Sequence, residues 1–484
     1  MAKISPLKVV PLLPGTNCGE CGEKTCMSFA VKLLDHIKEL QDCKPLVEKK
    51  KYAKKLQKLK DLVTEPIRPV KLGTGDRQIK IGGEEVFARH ELTYYNKTAF
   101  FVDVDDENTD VLTKKTELVR DYEMTRLGGK LTLEGVAIRS TSGNPDTFKE
   151  AVKKVLSIAD IPIMLCTLDP KVMEAGLQAA KNKRPVIYAG TKDNWKEMGQ
   201  LSIKYNAPIA LLSTDLDELK SLAVTMEKAG IEDIILDPGT IHGEGYTGET
   251  YSRHIMLKKA ALDKGDKSVG YPTIGVPATV WMDKNSKELS KGEEVSLAYE
   301  EGKLGALFIG HATNLLVFHT ADDWFILTME VVRQNIYADP RENPSVEAKI
   351  YEINDPGPKS PIVITTNYTM TYFVVKGDLE EAHVPAWLLV VDTEGISVES
   401  AVAGGQMSAD NIATAIKESG VLDKVDHRAV IIPGLAARVS GELEDLAKVV
   451  VIVGPRDCGG LPGLIEKKWN IEDLIKEWKE IFEE

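Results

Sequence analysis

Residues 185–239 read PVIYAGTKDNWKEMGQLSIKYNAPIALLSTDLDELKSLAVTMEKAGIEDIILDPG. Three short apolar runs, PVIYAG (185–190), PIALLS (208–213) and DIILDP (233–238), are separated by segments with apolar residues at helical spacing, 193–205 and 215–229. Such alternation marks parallel strands joined by crossover helices. The pattern extends in both directions. Upstream lie AFFVDV (99–104), LTLEGVAI (131–138), PIMLCTL (162–168) and an amphipathic stretch at 171–182; downstream lie IGVPATV (274–280) and GALFIG (305–310). Eight strands with helical spacers over about 240 residues predict a (β/α)8 TIM barrel, placed at 65–338. Polar, glycine-containing tips such as Asp237-Pro238-Gly239-Thr240 and Thr240-Ile241-His242-Gly243 follow the strands. They belong at the carboxyl-terminal face, where barrels carry their sites.

The barrel does not fill the chain. A length of 484 residues asks for about three domains at 100–200 residues each. Residues 339–360, with Pro340, Pro344, Pro356 and Pro358, read as a proline-rich linker. A second α/β pattern occupies 361–484. Its strands are read as IVITT (362–366), TYFVV (371–375), WLLVVD (387–392), AVIIPG (429–434) and VVVIVG (449–454), with helices at Ser400–Lys417 and Glu442–Lys448 and an amphipathic final helix at Ile471–Phe482. Several strands end in Thr, Asp or Gly, as in an open sheet whose ligand lies beyond the carboxyl ends of its strands.

Composition narrows the function classes. Hydrophobic residues make up 43% and charged residues 28%, ordinary for a globular protein. The net charge of −13 argues against nucleic acid as a partner. No run of about 18 apolar residues predicts a membrane span, and the proline-broken start MAKISPLKVVPLLPG does not resemble a signal peptide. The cytoplasm is the expected compartment.

Four of the six cysteines fall in the first 43 residues: Cys18, Cys21, Cys26 and Cys43, spaced C-x2-C-x4-C-x16-C. Four thiolates can hold an iron–sulfur cluster or tetrahedral zinc. Zinc ribbons more often carry two C-x2-C knuckles, and one is present, so the spacing favours a [4Fe–4S] cluster. Gly19 and Gly22 let the loop wrap closely, and Thr25–Gln41 has a helical apolar stripe of Phe29, Leu33, Ile37 and Leu40. Residues 44–60 hold eight lysines against one glutamate. They read as a solvated helix or basic linker completing a module over residues 1–60. Cys166 and Cys458 read as small core residues.

Other chemistry is sparse. No G-x-G-x-x-G follows a strand, and no P-loop, H-E-x-x-H or G-x-S-x-G occurs. Asp103, Asp105 and Asp237 at strand ends, with His242, Glu244 and His254 nearby, suit either acid–base work or helix capping. Capping is the commoner use. His311 and His319 read as core histidines. No residue stands out as a catalytic group.

The segments PLKVVPLLPGTNCGECGEKTCMSFA, ILDPGT, TTNYTMTYF, EGISVESAVAGG, IIPGLAARVSGELE and VGPRDCGGLPG together resemble the large subunit of the corrinoid/iron–sulfur protein, the gamma subunit of the acetyl-CoA decarbonylase/synthase complex in archaea. The resemblance spans nearly the whole chain, and the cysteine motif and carboxyl-terminal loops are its most specific parts. It implies a [4Fe–4S] module, a TIM barrel and a Rossmann-like corrinoid-binding α/β domain, with a corrinoid (cobamide) as second cofactor. It implies methyltransferase activity, in which cobalt accepts a methyl group from a methyl-tetrahydropterin (tetrahydrosarcinapterin or tetrahydrofolate) and passes it to the nickel centre of acetyl-CoA synthase. The cluster would return stray Co(II) to Co(I). It implies as partners a small subunit forming a heterodimer, the acetyl-CoA synthase subunit, the pterin or its methyltransferase, and a low-potential electron donor.

By the same resemblance Cys18, Cys21, Cys26 and Cys43 are the cluster ligands. The corrinoid contacts would be Thr366, Asn367, Thr371, Tyr372, Ser397, Val398, Glu399, Ser400, Gly434, Gly454 and Pro455. The cobalamin motif D-x-H-x-x-G is missing, since Asp35-His36 and Asp426-His427 have the wrong spacing, so no histidine is expected beneath the cobalt. Two other readings stay open at this stage: a barrel that binds methylpterin itself with a redox module attached, and a noncatalytic scaffold holding zinc.

Overall fold

The structure, a computed structural model, describes residues 4–35, 37–87, 96–126, 129–243, 245–282, 289–311, 313–338 and 343–483. The chain divides into two compact units, residues 1–123 with 132–339, and residues 124–131 with 340–484.

The first unit opens with the cysteine module. Helix α1 (Cys26–Leu34) starts at Thr25, whose hydroxyl accepts from the amide of Ser28, a side-chain cap that fixes its first turn. It is shorter than the predicted Thr25–Gln41 stripe, ending at Leu34 before a 3-10 turn at Leu40–Asp42. The lysine-rich segment does not merely link. It forms a short helix at Lys44–Glu48 and helix α2 (Ala53–Val63). Leu46 and Leu59 from these helices are fully buried with Val9, Leu13, Phe29, Ala30, Leu33 and Cys43. The lysines occupy the outer face of helices whose inner face completes the module's core.

Eight parallel strands follow in chain order around a barrel. They are β1 (Ala99–Asp105), β2 (Gly135–Arg139), β3 (Ile163–Cys166), β4 (Val186–Gly190), β5 (Ile209–Leu212), β6 (Ile234–Asp237), β7 (Ile274–Gly275) and β8 (Leu315–Phe318). Each is followed by a helix: α3 (Thr109–Asp121), α4 (Pro145–Ile158), α5 (Pro170–Ala179), α6 (Trp195–Tyr205), α7 (Leu216–Lys228), α8 (Tyr246–Leu262), α9 (Lys291–Gly310) and α10 (Asp323–Tyr337). A parallel bridge between Leu236 and Thr273 brings β6 to the residue preceding β7. The strands bury both faces, as parallel strands do. Phe100, Val102 and Val104 pack outward among the helices, while Ala99 and Phe101 point inward with Ala137, Met164, Val186, Ala210, Ile235, Ile274, Leu315 and Val317. A hairpin of Val70–Leu72 with Ile79–Ile81 adds Val70, Leu72 and Ile81 to that inner core.

Two expected barrel strands differ. GALFIG (305–310) is the end of α9, which a capping box of Ser290 and Glu293 starts and which buries Leu304, Gly305, Phe308 and Ile309. The eighth strand is instead the run from Leu315. A six-residue apolar run fits a buried helix turn as well as a buried strand. IGVPATV is strand only at Ile274–Gly275, because Pro277 opens a 3-10 segment, Pro277–Trp281.

In the second unit five strands form one sheet: β9 (Ile350–Ile353), β10 (Ile362–Thr366), β11 (Ala386–Val391), β12 (Ala429–Ile432) and β13 (Val450–Val453), in the order β9-β11-β10-β12-β13. β9 runs antiparallel at one edge and the others are parallel. Residues 339–360, read as linker, thus contribute an edge strand. The order of the parallel strands is 2-1-3-4, the flavodoxin-like arrangement rather than the Rossmann one. Helices α11 (Thr369–Glu381), α12 (Val398–Gly404), α13 (Ala409–Ser419), α14 (Ser440–Ala447), α15 (Leu461–Lys468) and α16 (Ile471–Phe482) complete the unit. TYFVV, expected as a strand, lies in α11, which buries Tyr372, Val375 and Leu379 at helical spacing. The helix expected over Ser400–Lys417 is two helices, divided where Gly405 takes a φ of +86°.

Candidate functional site

The four amino-terminal cysteines line one small pocket with Leu13, Pro14, Asn17, Gly19 and Phe29. Local chemistry accounts for the convergence. Asn17, Gly19 and Gly22 all take positive φ, folding the loop back on itself. The Asn17 Oδ1 accepts from the Cys26 amide at 2.8 Å, tying the loop to the start of α1. Buried Glu23 anchors the next turn, accepting from Ser28 Oγ and Lys32 Nζ, each at 2.7 Å. Cys43 returns from the far side of the module and is buried, while Cys18 is exposed. Burial pushes the Cys43 thiol up, and the neighbouring Cys21, Cys26 and Cys18 push it further. A bound cation would relieve both effects. Among the described residues no three His, Cys, Asp or Glu side chains come together closely enough for a single metal ion.

A cavity of about 280 Å3 opens in the second unit at the carboxyl ends of β10, β12 and β13. β10 and β12 are adjacent in the sheet but their crossovers leave in opposite directions, and open α/β sheets bind ligands at such a switch point. Thr371, Ser397, Val398, Glu399, Gly454 and Pro455, all expected there, line it. Thr366, Asn367, Tyr372, Ser400 and Gly434 do not. Asn367 works on the protein itself, donating to Asp392 Oδ1 at 2.8 Å and accepting from the amides of Thr393 and Gly395. Tyr372 is buried against Tyr351, with ring centroids 4.7 Å apart, and burial pushes its hydroxyl up to about 12. Gly434 is required by the crossing of two strand ends. A Cβ there would sit 2.6 Å from the carbonyl oxygens of Gly454 and Pro455, and one on Gly454 would sit 2.7 Å from the Ile432 oxygen.

The remaining lining is mostly apolar, including Val363, Ile364, Val375, Ile431, Ile432 and Leu461, with Thr365 on β10 and Arg456 and Cys458 at the loop after β13. The sequence hides their place in the wall, because they sit inside strands or one helical turn beyond a named residue. Cys458, read as a core residue, is legible only through the segment VGPRDCGGLPG. Its thiol is raised to about 11, first by burial and then by a hydrogen bond to Asp378. Around the same strand end the hydroxyls of Thr365, Thr366 and Thr369 are buried with no hydrogen-bond partner. Tyr368, at the start of α11, offers no side-chain cap; the Thr369 amide donates instead to the Pro344 carbonyl at 3.0 Å.

In the barrel the strand-end carboxylates are held inside the protein. Asp103 accepts from His319 Nδ1 at 2.7 Å and Lys115 Nζ at 3.2 Å. Despite burial, the charges of Lys115 and Arg139 and the hydrogen bond from His319 hold its carboxyl well below the usual range. Asp237 is fully buried, accepts from Tyr188 Oη at 2.6 Å, and is pushed up to about 6 by that burial. Asp105 turns into its own loop, accepting from the amides of Glu107 and Asn108. His242 is exposed and Glu244 lies outside the described residues. His254 is buried beside Phe308 with both ring nitrogens unpartnered.

Comparison with known proteins adds the family. A family model described as "CO dehydrogenase/acetyl-CoA synthase delta subunit" matches residues 69–465, and one described as "Putative Fe-S cluster" matches residues 13–45. The chain is 44% identical over 469 residues to acetyl-CoA decarbonylase/synthase complex subunit gamma 2 of Methanosarcina thermophila, covering 96% of this chain and 98% of that one. It is likewise 44% identical to subunit gamma of Archaeoglobus fulgidus over 471 residues, with the same coverage. The delta description covers the barrel and carboxyl-terminal unit, whereas the gamma relatives align from end to end and so define the subunit type. Among solved structures, a dihydropteroate synthase of Xanthomonas albilineans is 14% identical and covers 56% of this chain and 99% of its own, with a TM-score of 0.37. A likeness at that level adds nothing to the barrel geometry above.

Proposed function

The chain belongs to the family of acetyl-CoA decarbonylase/synthase complex gamma subunits, and from that premise we propose that it is the corrinoid- and [4Fe–4S]-dependent methyl carrier of such a complex. The corrinoid lies at the carboxyl ends of β10, β12 and β13. The cluster is held by Cys18, Cys21, Cys26 and Cys43. The methyl donor is a methyl-tetrahydropterin, the acceptor is the acetyl-CoA synthase subunit, and the setting is the cytoplasm.

The observation that carries this reading is the cavity at the switch point of the 2-1-3-4 sheet. Its chemistry fits one face of a large apolar ring edged with amides. The walls are largely aliphatic, and one lining threonine, Thr365, has a buried hydroxyl with no partner among the described residues. A ligand site that encloses its occupant usually measures about 300–1,000 Å3. At about 280 Å3 this cavity would take only part of a corrinoid, and on the proposed reading the small subunit would cover the rest. Four thiols line one pocket, and their spacing, with a single C-x2-C knuckle, suits a multi-iron cluster better than a two-knuckle zinc ribbon.

When bound, the corrinoid supplies a strongly nucleophilic metal for methyl transfer. The chain's own contribution is position and shielding. Among the described residues no histidine lines the cavity. His427 is buried at the amino end of β12, its Nδ1 accepting from the Ala429 amide and its Nε2 donating to the Ser360 carbonyl at 3.0 Å. Both nitrogens are thus spent at the wrong end of the sheet. Were the cofactor bound here, no histidine of the cavity wall would ligate its metal, which would favour the reduced state that a cluster is proposed to restore. Electron paramagnetic resonance of the Co(II) form should show no nitrogen superhyperfine splitting from the protein. Splitting that responds to ¹⁵N-histidine labelling would refute the reading.

A further inference from the structure

The mouth of the barrel carries a polar layer that methyl transport by the carboxyl-terminal unit does not use. Along each strand alternate residues point inward. The lower inward positions are apolar: Ala99 and Phe101 on β1, Ala137 on β2, Met164 on β3, Val186 on β4 and Ile235 on β6. The next position up is Asp103, Arg139, Cys166, Tyr188 and Asp237 respectively, with His319 just after β8. A barrel interior needs no ionisable residues for packing, and the carboxyl-terminal end of the strands is where barrels bind substrates.

The hydrogen bonds in this layer separate groups that are used up from groups that are free. Lys115 Nζ is saturated by Asp103 Oδ1 and the carbonyls of Asp103 and His319. Asp103 accepts from the His319 Nδ1 side, which selects the Nδ1–H tautomer and leaves Nε2 as an acceptor when the ring is neutral. Nε2 has no partner among the described residues. The imidazole packs against Trp281, with ring centroids 4.8 Å apart and planes tilted by 42°. Trp281 is itself fixed by Nε1 donating to fully buried Glu301 at 2.9 Å. Arg139 makes one long contact, Nη2 to Asp103 Oδ2 at 3.3 Å, with its side chain half exposed. The loop that follows it is clamped by Asp106, which accepts from the amides of Thr141 and Ser142 and from the Ser142 hydroxyl at 2.6 Å.

We infer that this mouth is a second ligand site, for a small molecule bearing a carboxylate or phosphate. Its oxyanion pairs with the free fork of the Arg139 guanidinium and lies beside the His319 ring. Of the nearby carboxylates, Asp103 is shared by Lys115, His319 and Arg139, Glu301 is taken up by Trp281 and the amides of His319 and Thr320, and Asp106 by its loop, which leaves the Arg139 fork the group facing the mouth. A guanidinium with unclaimed N–H groups at the end of a barrel strand is a group that recognises planar oxyanions in two-point fashion. This site uses barrel residues only, and stands or falls independently of where the corrinoid binds.

The test is titration calorimetry of the full-length protein with inorganic phosphate and, separately, with succinate. The expected result is one saturable site per chain for at least one probe. Phosphate alone would mark a phosphate-bearing ligand and succinate alone a carboxylate-bearing one. R139Q should weaken binding by at least about tenfold, with R139K intermediate because lysine offers a point charge without the fork. Arg139 makes only the one long contact, so R139Q should melt like the parent, and circular dichroism verifies that. No saturable heat with either probe, or binding by R139Q as tight as by the parent, would overturn the inference; the second result means an adventitious ion only.

Discussion

Asp237 and Asp103 are chemically alike and respond to the barrel in opposite ways. Asp103 faces cations, so its charged form is favoured; Asp237 faces a tyrosine hydroxyl and one amide, and its burial dominates. The consequence for stability has a definite sign. With its carboxyl pushed up to about 6, Asp237 binds more protons folded than unfolded between about pH 4 and 6. Its contribution is therefore complete below about pH 4 and is lost as the pH rises through 6, to the extent of about 3 kcal/mol. Asp237→Asn should raise the melting temperature at pH 7 and lose that advantage at pH 4; an advantage independent of pH would contradict the assignment. Gly454 is limited by contact rather than charge. Gly454→Ala places a methyl 2.7 Å from a backbone oxygen, and overpacking of this kind costs about 1–3 kcal/mol. A measurable drop in melting temperature with loss of corrinoid binding is expected, and an unchanged melt would show that the two strand ends can part. Of these residues the cysteines are the most legible in sequence, because four thiols crowded into 43 residues serve a shared metal far more readily than four separate core positions. Asn367 and Tyr372 are not legible in that way. Their types suit a cofactor loop, and in the fold Asn367 is hydrogen-bonded to Asp392, Thr393 and Gly395 while Tyr372 packs against Tyr351.

At the scale of elements, short apolar runs are the hardest to read. GALFIG and TYFVV have strand composition, but each lies in a helix already under way, begun by Ser290 in one case and by Thr369 in the other. Long periodic stretches such as 193–205 and 215–229 are helices as expected, because two or more turns of spacing exclude a strand. The lysine-rich segment shows the opposite difficulty, in which charge conceals a packed face. Leu59 on α2 is fully buried among the residues around Cys43. Leu59→Ala should cost about 2–5 kcal/mol, concentrated in a module too small to absorb it. The expected result is loss of bound iron and faster proteolysis within residues 4–63, with the barrel still protected. Retention of a full complement of iron would mean that α2 is the solvated linker its composition suggests.

For the whole molecule, the sequence reads as cysteine module, barrel and second α/β region, whereas the structure has two compact units, residues 1–123 with 132–339 and residues 124–131 with 340–484. No helix among the described residues is long and apolar enough to cross a membrane. On the proposed reading the chain is a carrier with two cofactors at opposite ends of its sequence, and direct measurement can check it. Protein purified without oxygen should contain about four irons and one cobalt per chain, and its absorption spectrum should combine corrinoid bands with the broad sulfide-to-iron shoulder of a [4Fe–4S] cluster. One zinc per chain with neither feature, or iron without cobalt, would contradict it.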